Sequence, residues 1–237
     1  MQCAILAGGL GTRMQSQAAG LPKALVPIGG RPFVDHQLEL LADSGVQDVV
    51  FCLGYGGAAL QRHVGDGSAY GLSVRYVDEG EELRGTAGAL RLALDEGALS
   101  EAFFVLYGDS YLPIDMEPVW RAFWESGLPA MMSVYLNEDR WDTSNAIVSA
   151  GRVVLYDKRG TDARATERRW IDYGLSVLRA DLIDQRIRAN ATADLADVYH
   201  DLSLEGKLAA FEVKERFYEV GSPEGLTELE RHLAGRL

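Results

Sequence analysis

The chain is predicted to adopt an α/β fold around a mainly parallel sheet, and three observations carry that prediction. Short, uninterrupted apolar runs recur through the first half. Segments with helical apolar spacing alternate with them. Glycine-rich turns close the runs. Continuous apolar strands mark strands buried on both faces, and strand–helix alternation supplies helices to cover those faces.

Residues 2–7 form the first run and lead into Gly8. Residues 32–44 carry Phe33, Leu38, Leu40 and Leu41 at helical spacing, and Gly45 ends them. Residues 49–53 are the second strand, closed by Gly54. Residues 58–64 read as a helix and 65–67 as a turn. Residues 72–77 alternate as a strand. Residues 86–94 read as a helix with Ala89, Leu90 and Ala93 towards the core and Thr86 placed to cap it. Residues 103–107 are a continuous buried strand, followed by Gly108-Asp109-Ser110. Further on, residues 131–136, 152–156 and 171–178 read as strands, and a helix begins at 181–185. Residues 211–213 and 217–220 are short strands, and 225–233 a terminal helix. Ser222 and Pro223 stand where an N-cap and a first helical residue belong. No linker, repeat or low-complexity tract interrupts the chain, so a single domain over 1–237 is expected.

A chain of 237 residues buries roughly three quarters of its unfolded surface and needs no staples. With 47% apolar and 24% charged residues the composition is that of a globular protein. The net charge of −12 argues against a nucleic-acid partner. Cys3 and Cys52 both sit in apolar runs and read as buried small apolar residues. His36, His63, His200 and His232 are scattered, with no zinc spacing, and are assigned surface or packing roles. Trp120, Trp124, Trp141 and Trp170 read as core or pocket wall. No apolar stretch approaches the ~18 residues of a membrane span, and no basic region leads an apolar segment at the N-terminus. A cytoplasmic protein with no membrane partner is expected.

The chemistry concentrates at the start. Gly8-Gly9-Leu10-Gly11-Thr12-Arg13 follows the first strand, then Pro22-Lys23 and Val26-Pro27-Ile28-Gly29-Gly30-Arg31-Pro32. Glycines let backbone N–H groups approach an anion, and Arg13 and Lys23 neutralise it. Met14 stands where the dinucleotide fingerprint needs its last glycine. Pro22 and Ala24 flank Lys23, which breaks the nucleotide-hydrolase loop. Ligands of parallel α/β sheets bind beyond the strands' carboxyl ends, where Gly8–Arg13 and Asp109 both lie. Asp109, facing a phosphate loop, suits a hard cation.

The arrangement G-G-x-G-T-R, P-K and P-I-x-G-R-P resembles the signature of the sugar-1-phosphate nucleotidylyltransferases, and the resemblance covers essentially the whole chain. It implies a Rossmann-like three-layer α/β/α sandwich with a mixed, mainly parallel central sheet, of the GT-A-like nucleotidyltransferase type. The NTP-binding half would be about 1–115 and the sugar-phosphate half about 116–237. In this resemblance Leu6, Ala7, Gly8, Gly9, Gly11 and Thr12 cradle the nucleotide, and Arg13, Lys23 and Asp109 are catalytic. Gly85, Thr86 and Gly88, in a G-T-A-G segment, contact base and ribose, and the helix N-terminal amides there favour an anion. Mg²⁺ is the implied cofactor, held by Asp109 and by Glu219 of Tyr218-Glu219-Val220-Gly221-Ser222-Pro223, where the family usually has Asp. Lys158 of Asp157-Lys158 is implied to grip the sugar phosphate. Asn145, Asp172 and Gly174 match the region that holds the sugar.

The implied partners are an NTP and a sugar-1-phosphate, with a homodimer possible. The segments Trp141–Asn145, 171–174 and 218–223 look most like the D-glycero-D-manno-heptose 1-phosphate guanylyltransferase branch, which favours GTP and a manno-configured heptose or hexose 1-phosphate. Arg84 before G-T-A-G and the absence of P-x-T between Arg13 and Pro22-Lys23 depart from the family's usual pattern. A uridylyltransferase for another sugar-1-phosphate stays open, as does a non-catalytic nucleotide-sugar-binding regulatory protein, which Glu219 motivates. An NAD-linked oxidoreductase is disfavoured by the missing glycine. The absence of D-x-D argues against a metal-dependent glycosyltransferase.

Overall fold

The computed structural model describes residues 1–8, 22–54 and 56–235. In chain order the strands and helices are β1 (Gln2–Ala7), β2 (Pro27–Ile28), β3 (Arg31–Pro32), α1 (Phe33–Asp43), β4 (Asp48–Leu53), α2 (Gly57–Val64), β5 (Ser73–Asp78), α3 (Gly85–Asp95) and β6 (Ala102–Tyr107). There follow β7 (Ser110–Tyr111), α4 (Glu117–Ser126), β8 (Ala130–Leu136), β9 (Ala146–Ser149), β10 (Arg152–Tyr156) and β11 (Trp170–Arg179). The chain closes with α5 (Ala180–Arg186), α6 (Leu195–Leu204), β12 (Leu208–Val213), β13 (Tyr218–Glu219) and α7 (Pro223–Ala234).

The central sheet has the order β5-β4-β1-β6-β11-β8-β12-β10-β9. Strands β5, β4, β1 and β6 are mutually parallel. Strand β11 runs against β6 and β8, and β10 against β12 and β9. Only those two oppose the common direction, so the sheet is mixed and mainly parallel, as expected. Strand pleating sends successive side chains to opposite faces. Cys3 and Ile5 of β1 join one core with Val34 and Leu38 of α1, Leu60 of α2 and Phe123 of α4. Ala4 joins another, with Leu90 of α3, Ile183 of α5 and Leu202 of α6. Helices therefore cover both faces of the sheet. A third, small core of Ile28, Phe33, Tyr111, Val220 and Leu229 seats α7. Burial pushes the Cys52 thiol up to about 12 and the Cys3 thiol further, in keeping with apolar packing roles.

Local signals act as expected at several helix ends. Gly45 takes a left-handed φ of 79° just after α1. The Ser222 hydroxyl accepts the Gly225 N–H at 3.1 Å, and Pro223 opens α7. One cap differs. Helix α3 begins at Gly85 with Arg84 at the cap position, so Thr86 lies inside the first turn. Strand β9 and helices α4 and α6 are additions to the elements expected from the sequence. Trp120 and Trp124 ride on α4, the first packed against the core and the second exposed. Among the described residues no helix is long and apolar enough to cross a membrane.

The common strand direction positions the site. Gly8 after β1, Gly54 after β4, Glu79 after β5 and Gly108-Asp109 after β6 all leave the sheet on one edge.

Candidate active site

The turn that carries Asp109 is held on every side. Gly108 donates its N–H to the Leu6 carbonyl at 3.0 Å. A Cβ on Gly108 would meet that same oxygen at 3.0 Å, so glycine admits the close approach. From α1, the buried Gln37 side chain donates to the carbonyls of Tyr107 (3.1 Å) and Ser110 (2.9 Å). The Asp109 carbonyl accepts the Val220 N–H at 2.9 Å.

That last bond continues a short antiparallel ribbon in which Tyr218 faces Tyr111 and Glu219 faces Ser110. The ribbon places Glu219 in the register next to Asp109. Gly225 backs it closely, since a Cβ there would lie 2.3 Å from the Glu219 carbonyl oxygen. Lys23, from a single 3₁₀ turn at Lys23–Leu25, donates from Nζ to Asp109 Oδ2 at 2.9 Å. Both side chains are part-buried, so solvent screens the pair only partly. Two carboxylates fit Mg²⁺, a hard cation that keeps waters and takes substrate phosphate oxygens alongside one or two carboxylates. No group of three or more His, Cys, Asp or Glu suited to a metal occurs among the described residues.

Of the residues expected to cradle a nucleotide, Leu6 and Ala7 close β1 against Cys52 and Leu53 of β4. Gly9, Gly11, Thr12 and Arg13 lie outside the described residues. Gly8 lies close against Glu79, whose Oε2 would be 2.8 Å from a Cβ at Gly8. Glu79 is buried, and its Oε1 accepts the Arg84 N–H at 2.9 Å. Burial raises its pKa above the usual carboxylate value, and the Arg84 bond only partly offsets this. In the G-T-A-G segment, the Ala87 and Gly88 amides donate to the Ala193 carbonyl at 3.0 and 3.2 Å. Those two amides are thus committed to the loop before α6 rather than presented to an anion. Cβ atoms at Gly85 and Gly88 would lie 2.6 Å from the carbonyl oxygens of Ala193 and Ala191. The Thr86 hydroxyl donates to Asp194 Oδ1 at 2.8 Å and accepts the Leu195 N–H at 2.8 Å. The segment therefore has a packing role of its own, locking α3 to α6.

Asn145 and Asp172, the residues expected to hold a sugar, are directly joined. Asn145 Oδ1 accepts the Asp172 N–H at 2.9 Å. Asp172 Oδ1 accepts the Gly174 N–H at 2.9 Å, and Tyr156 donates towards Oδ2 at 3.4 Å. The β11–β8 register shifts between Asp172 and Ser176, and Gly174 takes a φ of 93° there. Such irregularities re-aim side chains at the rim of a sheet. A Cβ on Gly174 would sit 3.4 Å from the Ser110 hydroxyl, which brings this bulge beside the Asp109 turn. Lys158 is exposed, and its charge steadies both the Asp172 and Asp194 carboxylates. Its neighbour Asp157 is buried and organises the loop, accepting N–H bonds from Gly160 (2.9 Å) and Asp162 (3.0 Å) and pairing with Arg168.

Three residues of this site carry only weak signals in the sequence. Gln37 is a polar residue on an otherwise apolar helical face. Glu79 is an acid directly after a strand. Asp194 caps α6, accepting the Ala196 N–H at 3.0 Å, and precedes an amphipathic run.

Burial raises the Asp172 pKa, against the opposing pull of the Gly174 amide, Lys158 and Tyr156. The folded state thus holds this proton more tightly than the unfolded chain does. Its stabilising contribution is complete below the ordinary value of 3.8 and is lost as pH rises through the raised folded value. Asp172→Asn should flatten the stability–pH curve over that window, measured by urea unfolding from pH 3.5 upward. Parallel curves for the two proteins would contradict the assignment.

Comparison with known proteins places this geometry in context. The chain is 27% identical over 227 residues to the mannose-1-phosphate guanylyltransferase catalytic subunit beta of Drosophila melanogaster, covering 92% of this chain and 59% of that protein. It therefore spans about three fifths of the length of that relative. It is 23% identical to the D-glycero-alpha-D-manno-heptose 1-phosphate guanylyltransferase of Aneurinibacillus thermoaerophilus, covering 98% of both. Among solved structures it resembles HddC from Yersinia pseudotuberculosis complexed with GMP-PN, with a TM-score of 0.76 and 25% identity over 98% of this chain and 99% of that one. The family model of the MobA-like NTP transferase domain matches residues 3–187, and the chain belongs to that family.

Proposed function

We propose that this protein is a Mg²⁺-dependent nucleotidylyltransferase that joins GTP to a manno-configured heptose or hexose 1-phosphate, giving an NDP-sugar and pyrophosphate. The observation that carries the reading is the contact of Lys23 with Asp109 at the carboxyl edge of the parallel strands, with the backbone of Glu219 paired to Ser110 beside them. The heptose and mannose guanylyltransferase relatives support the substrate class.

In the proposed reaction an oxygen of the sugar-1-phosphate attacks the α-phosphorus of the NTP. The α–β bridging P–O bond breaks, and its electron pair leaves with pyrophosphate. No covalent enzyme intermediate is needed, so the protein's work is positioning and charge neutralisation. Lys23 would neutralise charge developing at the α-phosphate. Asp109 and Glu219 would hold Mg²⁺, which when bound supplies further neutralising charge on phosphate oxygens. Lys158 would grip the sugar phosphate, and Asp172 and the Gly174 bulge would face the sugar.

We propose further that Glu79, at the carboxyl end of β5 and against Gly8, meets the base edge, which would favour guanine. An ionised carboxylate only accepts hydrogen bonds. Guanine offers two adjacent donors, N1–H and N2–H, on one edge. Uracil offers one donor between two carbonyls, and cytosine one donor beside an acceptor nitrogen, so a carboxylate favours guanine over either.

Pyrophosphate release across four NTPs and a panel of sugar-1-phosphates tests the reading. Release with GTP and a manno-configured sugar phosphate is expected. Release only with UTP or another pair would replace the substrate assignment, and nucleotide binding without release would favour the regulatory-protein alternative. Lys23→Ala should lower kcat by roughly two to three orders of magnitude. A near-normal rate removes Lys23 from the mechanism. Glu79→Gln should reduce the preference for GTP over UTP about tenfold to a hundredfold, the effect of one charged hydrogen bond. An unchanged preference would exclude Glu79 from base recognition.

A further inference from the structure

A column of stacked side chains lies beside the site, and none of the roles above uses it. The Arg216 guanidinium carbon sits 3.6 Å from the centroid of the Trp141 ring and 5.0 Å from that of Tyr218. Its Nη2 donates to Glu228 of α7. Tyr218 stacks on His232 at 4.3 Å with an interplanar angle of 27°, and His232 meets Tyr111 edge-on at 6.2 Å. The column joins four segments: the loop 137–145, β13, α7 and β7.

Its loop end is preset. Asn137 is fully buried, and its amide nitrogen donates to the Asp142 carbonyl at 2.6 Å and to the Ser144 hydroxyl at 3.2 Å. Its Oδ1 accepts the Trp141 N–H at 3.2 Å. Glu138 and Asp139 take left-handed φ values of 48° and 57°, which non-glycine residues keep only when their surroundings enforce them. The Ser144 N–H bond to Asp139 Oδ1 at 2.7 Å helps to do so. The Trp141 backbone is thus held, with its exposed ring against Arg216, and the same loop runs into Asn145.

The strand end is weak by itself. Strand β13 has two residues and pairs with two on β7, and so short a ribbon does not persist unaided. Tyr218, held between Arg216 and His232, adds a restraint to that of the buried Val220 and Tyr111. Arginine suits this place because its planar guanidinium can stack on aromatic faces, which a lysine ammonium cannot reproduce.

We propose that Arg216 is a positioning residue: stacked between Trp141 and Tyr218, it fixes β13, and with it Glu219, beside the Asp109 turn and ties that turn to the loop leading into Asn145. The catalytic part of this inference rests on the proposed transferase reading; the mechanical part does not.

Two readouts test it on the full chain. Amide exchange by mass spectrometry follows the segment 216–220, which contains the Val220 N–H bonded to Asp109. Arg216→Lys and Trp141→Ala should speed that exchange about tenfold or more, whereas Trp141→Phe, which keeps a ring under the guanidinium, should not. Steady-state pyrophosphate release should show kcat about tenfold lower in the first two variants, with KM for the NTP within about twofold of the parent. Unchanged exchange in Arg216→Lys would overturn the clamp. Faster exchange with an unchanged kcat, or with kcat and KM lost together, would reduce it to a structural contact. A parent protein that releases no pyrophosphate with any pair would sink the transferase reading, and the exchange measurement would still decide the clamp.

Discussion

The site depends on one hydrogen bond and the ribbon it extends. The Val220 N–H reaches the Asp109 carbonyl at 2.9 Å, and the pairing of β13 with β7 follows in register. Without that ribbon, the two carboxylates proposed to share a metal would belong to unrelated parts of the chain. The parallel strands bring Asp109 to the edge where Gly8 and Glu79 emerge. The ribbon, packed through Val220 and Tyr111 against α7, returns Glu219 to the same place. The glycines nearby read in this light. Gly108 permits the turn to press on Leu6, and Gly225 permits α7 to press on Glu219.

Charge is arranged locally within an acidic protein. The net charge is −12, yet each motif lysine meets carboxylates where phosphate would have to be neutralised. Lys23 lies on Asp109, and Lys158 acts on both Asp172 and Asp194. A cation already held in place needs little reorganisation when charge develops beside it, which is the physical content of electrostatic preorganisation. Asp172 and Asp194 also show how burial and hydrogen bonding compete. Burial wins at Asp172 and raises its pKa. At Asp194 burial also opposes ionisation, but the Ala196 amide, the Thr86 hydroxyl and Lys158 prevail and lower it.

The parts of the fold that were legible are those set by local pattern. Continuous apolar runs marked the parallel strands, and Gly45 and Ser222-Pro223 marked helix ends. The strand-end position of Asp109 was read from Phe103–Tyr107 alone. What escaped depends on distant partners. Thr86 looked like a cap because threonine caps helices; the loop Ala191–Asp194 claims its hydroxyl instead, from more than a hundred residues away. Gly85 and Gly88 read as ligand-facing, yet the carbonyls of Ala193 and Ala191 explain why no Cβ fits. Helix α4 was legible in principle, since Trp120, Phe123 and Trp124 have the i, i+3, i+4 spacing of one helical face and their rings meet one another. Gln37 and Arg216 carry no motif, and only tertiary contact shows what they hold. Gly9, Gly11, Thr12 and Arg13 lie outside the described residues, so their part in the phosphate loop rests on the sequence pattern.

The most direct measurement is a crystal structure with Mn²⁺ and a non-hydrolysable GTP analogue, with the metal located by its anomalous signal. The account predicts Mn²⁺ bound by Asp109 and Glu219 together, with Lys23 released from Asp109 to the α-phosphate. A metal bound away from these carboxylates, or Lys23 still paired with Asp109 beside a bound nucleotide, would contradict it.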